Sequence, residues 1–454
     1  MAAPSGDARG THLARIEHVL REQTPHVLGA LVRRFGRFDL AEDAVQEALI
    51  VAARRWAADG LPDGPRAWLI RVAYRRMIDL LRSEQAARRR EEDAASTDLV
   101  LVDPAAPRPA AVDRDDSLQL LLLCCHPALS ETSQIALTLR AVGGLTTAEI
   151  AHAYGAAEAT MGSRISRAKQ TLKKAGARFE LRDSDDLAAR TTAVMRVLYL
   201  IFNEGYTATA GSDLTRAALT AEAIRLTRML RALLPDDVEV AGLLALMLLT
   251  DARRDARTDP EDGLVVLSEQ DRTLWDRPLI AEGQRLIEDA WRQERVGPYQ
   301  LQAAIAAIHA QADTAEATDW PQIAALYLWL ERLDPTAPIR LSRVVAVAHA
   351  FGPHRGLALL DQLDREHALT EDPLVAQRTH AVRAHLLDQL GEHERAADAY
   401  RAAAALTENE TERRYLHRRA RRSAPEQESQ PRGAQAADDA ATCTDVPRGR
   451  PGRV

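Results

Sequence analysis

Two short stretches carry side chains suited to chemistry on a polyanion. "RAWLIRVAYRRMIDLLR", residues 66–82, holds Arg66, Arg71, Arg75, Arg76 and Arg82, interleaved with Trp68 and Tyr74. At about 100° per residue, Arg75, Arg82 and Trp68 fall within about 60° of Arg71, while Leu69, Ile70, Ala73, Met77, Leu80 and Leu81 gather on the other side. A cationic stripe with a ring beside it suits gripping phosphates while unstacked bases rest on aromatic surface. The same residues also suit a solvated charged face with Trp68 tucked into the core.

The second stretch is "LTTAEIAHAYGAAEATMGSRISRAKQTLKK", residues 145–174. It divides into a short helix from about Thr147 to Tyr154, a turn at 155–157 and a longer helix from near Glu158, which is helix-turn-helix grammar. Met161, Ile165, Ala168 and Leu172 form one apolar seam. Opposite it lie Ser163, Ser166, Arg167, Gln170 and Lys174, with Thr160 and Arg164 alongside; short hydroxyls, an amide and cations can reach base edges and phosphates in a major groove. An ordinary helical hairpin is the competing reading. Between Glu158 and Arg182 stand seven basic and two acidic residues, which favours the nucleic-acid reading.

The elements that must position these residues are helices. In 454 residues, aromatics make up 4 % and apolar residues 46 %, with Ala, Leu and Arg dominant; this is the composition of an all-α protein of two or three domains with almost no sheet. Residues 1–182 carry 26 Lys and Arg against 23 Asp and Glu, and residues 183–454 carry 33 against 43. The asymmetry points to an N-terminal part that meets a polyanion and a C-terminal part that does not. Cys124, Cys125 and Cys443 cannot build a disulfide framework, and Cys124, Cys125 and His126 lack the spacing of a zinc site, so buried thiols are expected and no metal. No signal peptide opens the chain, and the apolar runs "LQLLLLCC" and "VAGLLALMLL" fall short of the roughly 20 residues needed to cross a bilayer. A soluble, cytoplasmic protein is expected.

With these two motifs in order, and with "DLAEDAVQEAL" at 39–49 ahead of them, the chain resembles the sigma-70 family of bacterial transcription initiation factors, in its extracytoplasmic-function branch. The resemblance covers about residues 11–180. It implies that 11–85 form region 2, which docks on core RNA polymerase and recognises and melts the −10 element, and that 117–182 form region 4, which reads the −35 element. Asp43, Gln46 and Glu47 match the polymerase-docking motif. Trp68, Asp79 and Arg82, with Arg71 and Arg75 on the same stripe, match the −10 helix, and Ser163, Ser166 and Arg167 fall where the recognition helix touches the −35 bases. Arg75 stands where the family usually has Asn, and Gly162 where a basic residue is common. The implied partners are the β′ clamp and β flap of the polymerase, and promoter DNA. The irregular stretch 86–116 reads as the linker.

Residues 183–422 are an extension beyond a minimal factor of the branch. They resemble the helical extension of a subgroup whose tail ends in tetratricopeptide-like repeats. Gly391, Ala396, Tyr400 and Ala403 have that repeat's spacing, and "FGPHRGLALLDQL" near Gly352 looks like a degenerate copy about 39 residues earlier. Packed helical repeats leave a groove suited to a protein or peptide partner, and a regulatory role is expected. Asn203 and Glu204 could be read as a catalytic amide and carboxylate, but a helix end closed by Gly205 with Tyr206 beneath it is the favoured reading. No nucleophile-base pair, metal cluster or phosphate loop is present in the sequence, so no enzyme and no cofactor are expected. Residues 423–454 read as a disordered tail. The leading expectation is a polymerase specificity subunit; the alternative is a helix-turn-helix regulator with a helical sensor domain that binds duplex DNA alone.

Overall fold

The computed structural model describes residues 6–92, 116–154, 156–177, 184–207, 210–211, 216–259, 263–373 and 375–423. They are almost entirely helical. The first trio is α1 (Gly6–Phe35), α2 (Phe38–Asp59) and α3 (Pro65–Glu92). Gly36 and Gly60 take positive φ at the two turns, and Pro65 opens α3, where its missing N–H costs nothing. The sequence loses apolar periodicity after Gln85, yet α3 runs on to Glu92, because an Ala- and Arg-rich segment is helix-forming without a partner to pack on. The rest of the expected linker lies outside the described residues, as do the tail beyond Ser423 and Cys443.

A second group follows: α4 (Ser117–Cys124), α5 (Glu131–Ala141), α6 (Thr147–Ala153) and α7 (Glu158–Lys174). Thr146 and Glu149 close a capping box on α6, the hydroxyl accepting from Glu149 N at 3.1 Å and the carboxylate from Thr146 N at 2.7 Å. Two otherwise orphaned donors are satisfied, and a seven-residue helix is held. Cys124 and Cys125 are fully buried free thiols, and burial pushes the Cys125 thiol up to about 12. They pack as small apolar groups.

The extension comprises α8 (Ser184–Tyr206), α9 (Ala217–Leu233), α10 (Val238–Asp251), α11 (Arg277–Trp291), α12 (Pro298–Gln311), α13 (Trp320–Leu333), α14 (Ala337–Phe351), α15 (Pro353–His367), α16 (Ala376–Gln389), α17 (His393–Ala405) and α18 (Glu410–Ser423). Helices α11 to α15 each begin with Pro in the first turn, at Pro278, Pro298, Pro321, Pro338 and Pro353. The apolar run in α10 is buried almost all round, as a helix central to a bundle must be. No helix among the described residues is long and apolar enough to cross a membrane. From α13 onward the chain packs as successive antiparallel hairpins, with Gly352 and Gly391 turning at positive φ, and Ala396, Tyr400 and Ala403 buried. Two short ladders pin the arc: β1 (Ala210–Gly211) pairs in parallel with β4 (Glu408–Asn409), and β2 (Thr258–Asp259) pairs antiparallel with β3 (Gly263–Leu264). The end of the extension is thus tied back to the segment just after α8.

One continuous core joins all three parts, holding Trp56 and Met77, Leu121 and Ile150, and Phe202 and Leu244. Smaller clusters serve the outer hairpins. Gly205 does not close α8, which continues through it to Tyr206. Its role is close approach: a Cβ there would lie 2.5 Å from Thr220 N and 3.0 Å from Leu219 C, so α9 could not seat. Tyr206 stacks on Phe202 at 5.8 Å and carries the Arg257 guanidinium 3.5 Å above its ring. Gly205→Ala is therefore expected to destabilise the chain by about 2 kcal/mol through overpacking, read as a lower urea midpoint; an unchanged midpoint would mean that α9 is not locked against this turn.

Candidate nucleic-acid interface

The polar surface of α7 divides into two arcs around the buried seam of Met161, Ile165, Ala168 and Leu172. At about 100° per residue, Lys169 lies about 40° and Lys173 about 80° beyond one edge of the seam, and Ser166, Ser163, Lys174, Arg167 and Thr160 follow round the far side. The far side is open: these five are exposed and Arg164 is half-buried. The Arg167 guanidinium is held along the helix by donating to Ser163 O at 3.2 Å. The sequence-predicted recognition residues are therefore on one solvent-facing arc of the second helix of the motif.

On α3, Arg71, Arg75, Asp79 and Arg82 are exposed, and Leu69, Ala73 and Met77 are buried. Among the described residues Arg71, Arg75 and Arg82 form no ion pair. Trp68 is half-buried and meets Trp56 edge-on, with centroids 5.4 Å apart, so part of its ring serves the core. Arg66 donates to Gln23 Oε1 at 2.8 Å.

On α2, Asp43 is exposed and Gln46 and Glu47 are half-buried. Glu47 accepts from Arg76 of α3 at 2.9 Å. One turn further on the same side, Ile50 and Val51 are 53 % and 45 % exposed. Asp43, Glu47, Ile50 and Arg54 recur at helical spacing, so acids and large apolar side chains share one outward stripe.

The other arc of α7 is spent inside the molecule. Lys169 Nζ reaches Glu42 at 2.9 Å and Asp43 at 2.6 Å, and Arg140 of α5 reaches Glu42 at 2.8 Å. Glu42 is 2 % exposed, and two cations share its carboxylate. Burial pulls the Lys169 ammonium down, but Glu42 and Asp43 outweigh it and hold its pKa above the ordinary value. Lys173 adds weaker pairs to Asp39 and Glu84 at 3.4 and 3.5 Å, beside Arg37, which bridges the same two acids. Arg21 pairs with Glu149 at 3.0 Å, and Arg33 with Asp116.

The extension grips the same motif from its other side. Arg216, paired with Glu204, donates to Ala153 O at the end of α6, Arg225 donates to Val142 O at the end of α5, and Arg196 pairs with Glu131. Guanidinium groups at helix C-termini satisfy orphan carbonyls and oppose the negative end of the helix dipole. Glu204 is thereby a structural counter-ion. Sequence reading missed Glu42, Arg140, Lys169, Lys173 and Arg216. The one available signal was Lys169, a lysine about 40° from the edge of the apolar seam, with Lys173 one turn further on.

Residues 20–87 match the Sigma-70 region 2 family, residues 119–172 the Sigma-70, region 4 family, and residues 190–291 a family of unknown function (DUF6596). An uncharacterized protein of Rhizobium meliloti (strain 1021) is 43 % identical over 403 residues, spanning 88 % of this chain and 94 % of its own length. Two shorter similarities are to the probable ECF RNA polymerase sigma factor SigI of Mycobacterium tuberculosis, 29 % identical over 34 % of this chain and 53 % of that protein, and to the ECF RNA polymerase sigma factor SigK of Mycobacterium bovis, 28 % identical over 32 % of this chain and 78 % of that protein. No solved structure matches.

The buried and exposed clasps should differ sharply in worth. Glu42→Gln leaves Arg140 without its counter-charge and Lys169 with Asp43 alone, and is expected to weaken the seating of α7 by about 3 kcal/mol, seen as faster amide hydrogen exchange over 158–174. Lys173→Ala removes partly exposed pairs and should cost about 0.5 kcal/mol. Equal exchange in both variants would show that the Glu42 clasp does not hold α7.

Proposed function

Because the chain belongs to the sigma-70 family of RNA polymerase sigma factors, in the extracytoplasmic-function branch, we propose that it is a promoter-specificity subunit that binds core polymerase through α2, melts the −10 region with α3 and reads the −35 region with α7. The observation that carries this reading is the α2 stripe. Ile50 and Val51 stand uncovered beside Asp43 and Glu47, and exposed apolar residues next to acids mark a protein-docking surface rather than a DNA surface. A helix-turn-helix regulator acting alone would need the open arc of α7 but has no use for this stripe.

In the closed arrangement Asp43 serves two masters. Its carboxylate is held by Lys169 of the recognition helix, so full engagement of α2 by polymerase requires α7 to leave. We infer that the factor is held shut until polymerase competes for α2. The extension, residues 183–422, acts as a regulator by fastening α5 and α6 through Arg196, Arg216 and Arg225. Its outer hairpins, α14 with α15 and α16 with α17, are read as tetratricopeptide-like repeats. The chemistry is binding alone, and Asn203 and Glu204 are given no catalytic role.

The decisive experiment mixes purified full-length chain, core polymerase and promoter DNA, and probes the −10 region for unpaired thymines. Opening only with polymerase present is expected; sequence-specific duplex binding that ignores polymerase would select the regulator reading. Ile50→Glu, on an exposed position of little structural weight, should weaken association with core polymerase about tenfold while leaving the fold intact; wild-type affinity would remove α2 as the docking surface. Arg167→Ala should weaken promoter binding and lower its salt slope by about one unit if the guanidinium meets phosphate. An unchanged slope with altered base preference would assign Arg167 to base readout.

A further inference from the structure

Far from the DNA-facing helices, the arc of the extension encloses a cavity of about 680 Å³. Its walls come from α12, α13, α14, α16, α17 and α18, and from the segments 266–272 and 315–318. That volume is in the range of pockets that hold one small molecule, about 300–1,000 Å³. On one side is an aromatic shelf: Trp320 and His349 stack with centroids 4.0 Å apart and planes 10° from parallel, and His309 meets Trp320 edge-on at 5.1 Å. Val345, Val382 and Leu416 supply aliphatic wall. On α18, Arg419 lies 5.5 Å from the Tyr400 ring, with Tyr415 lining the same end.

The charge pattern narrows the occupant. Burial, with the nearby Arg253 and Arg272, pushes the His309 imidazole down to about 3, and burial lowers His349 and His385 as well. All three rings are neutral near pH 7. Glu269 and Glu316 are exposed. Arg419 shares Asp388 at 3.5 Å, a long contact for a guanidinium, so its cation is incompletely neutralised. An extended peptide would bring a row of backbone donors and acceptors, and this largely apolar wall has few groups to meet them.

We propose that this cavity binds a small planar aromatic acid, its rings against Trp320, His349 and His309 and its acid group toward Arg419, Tyr400 and Tyr415. The inference is independent of the polymerase reading, because binding is measured on the purified chain alone. It also places a ligand against α18, whose base, Glu408–Asn409, pairs with Ala210–Gly211 just past the helix that carries Glu204.

The test uses two probes with the same rings: 8-anilinonaphthalene-1-sulfonate, an anion, and N-phenyl-1-naphthylamine, its uncharged counterpart. The full-length chain should bind the sulfonate at one saturable site with quenching of tryptophan emission, and bind the neutral probe more weakly. Arg419→Ala should weaken the sulfonate about tenfold, the loss of one charged hydrogen bond, with little change for the neutral probe. Val345→Trp, which fills the cavity, should abolish both while circular dichroism and the thermal transition stay as in the parent. Gln389→Trp blocks the same space from an exposed position, should Val345→Trp fail to fold. Equal affinity for the two probes, or an Arg419→Ala effect shared by both, overturns the acid selectivity. Non-saturable adsorption, or binding that survives the filling variants, overturns the site.

Discussion

A carboxylate taken out of water must be paired, and Glu42 is where this molecule meets that demand. Its side chain is nearly inaccessible, yet it sits on α2 between a cation from α5 and another from α7. Removing a charge from water costs several kcal/mol even after relaxation, and only close, well-formed pairs offset it. Glu42 therefore fixes where the helix-turn-helix unit can rest. A seating of α7 away from Glu42 would take from this buried acid one of its two cations. The surface pairs around it, Lys173 with Asp39 and Glu84 or Arg21 with Glu149, follow that placement and add little of their own.

On the proposed docking through α2, the consequence for function is competition for one surface. The stripe of α2 that presents Ile50 and Val51 to solvent begins at Asp43, and Asp43 is already half satisfied by Lys169. A partner approaching the apolar end of the stripe meets no obstacle. One approaching the acidic end competes with Lys169 for Asp43. The closed state is accordingly readable as a balance between an internal ion pair and an external interface, and such a balance can be tipped by modest free energies. The extension bears on it from behind, with arginines at the carbonyl ends of α5 and α6, so that loosening α8 or α9 would loosen the motif that α7 belongs to.

Sequence reading recovered what repeats locally. The seam of α7, the extent of α6, the start of α7, the stripe on α3 and the small-residue spacing around Gly391 all depend on neighbours within a few residues. It did not recover contacts set by the tertiary fold. Glu42 and Lys169 lie 127 residues apart, and nothing in either segment names the other. The position of Lys169 near the apolar seam of α7 gives no sign of the carboxylates that it meets. Gly205 was misjudged because glycine after a helical run signals a cap, whereas here it permits the close approach of α9. The membership of the chain in its family was legible because three motifs occurred in order, while the shape of the cavity in the extension was not, since its walls come from six helices and two connecting segments.

The overall charge of −7 is no obstacle to work on DNA, and the structure suggests why. Fields from exposed charges fade over about a Debye length, roughly 8–10 Å in physiological salt, so a phosphate brought to the arc of Thr160, Ser163, Arg167 and Lys174 would respond to the groups nearest it rather than to the net charge of the chain. The extension also turns cations toward the helix-turn-helix unit, at Arg196, Arg216 and Arg225, with Glu204 and Glu222 as counter-ions of the last two. Acidity then has a positive use: a factor with a weakly basic reading head and an acidic body holds naked DNA poorly by non-specific attraction. Promoter affinity would have to come from a second protein holding the duplex, which is how a subunit that depends on polymerase differs physically from a repressor that does not.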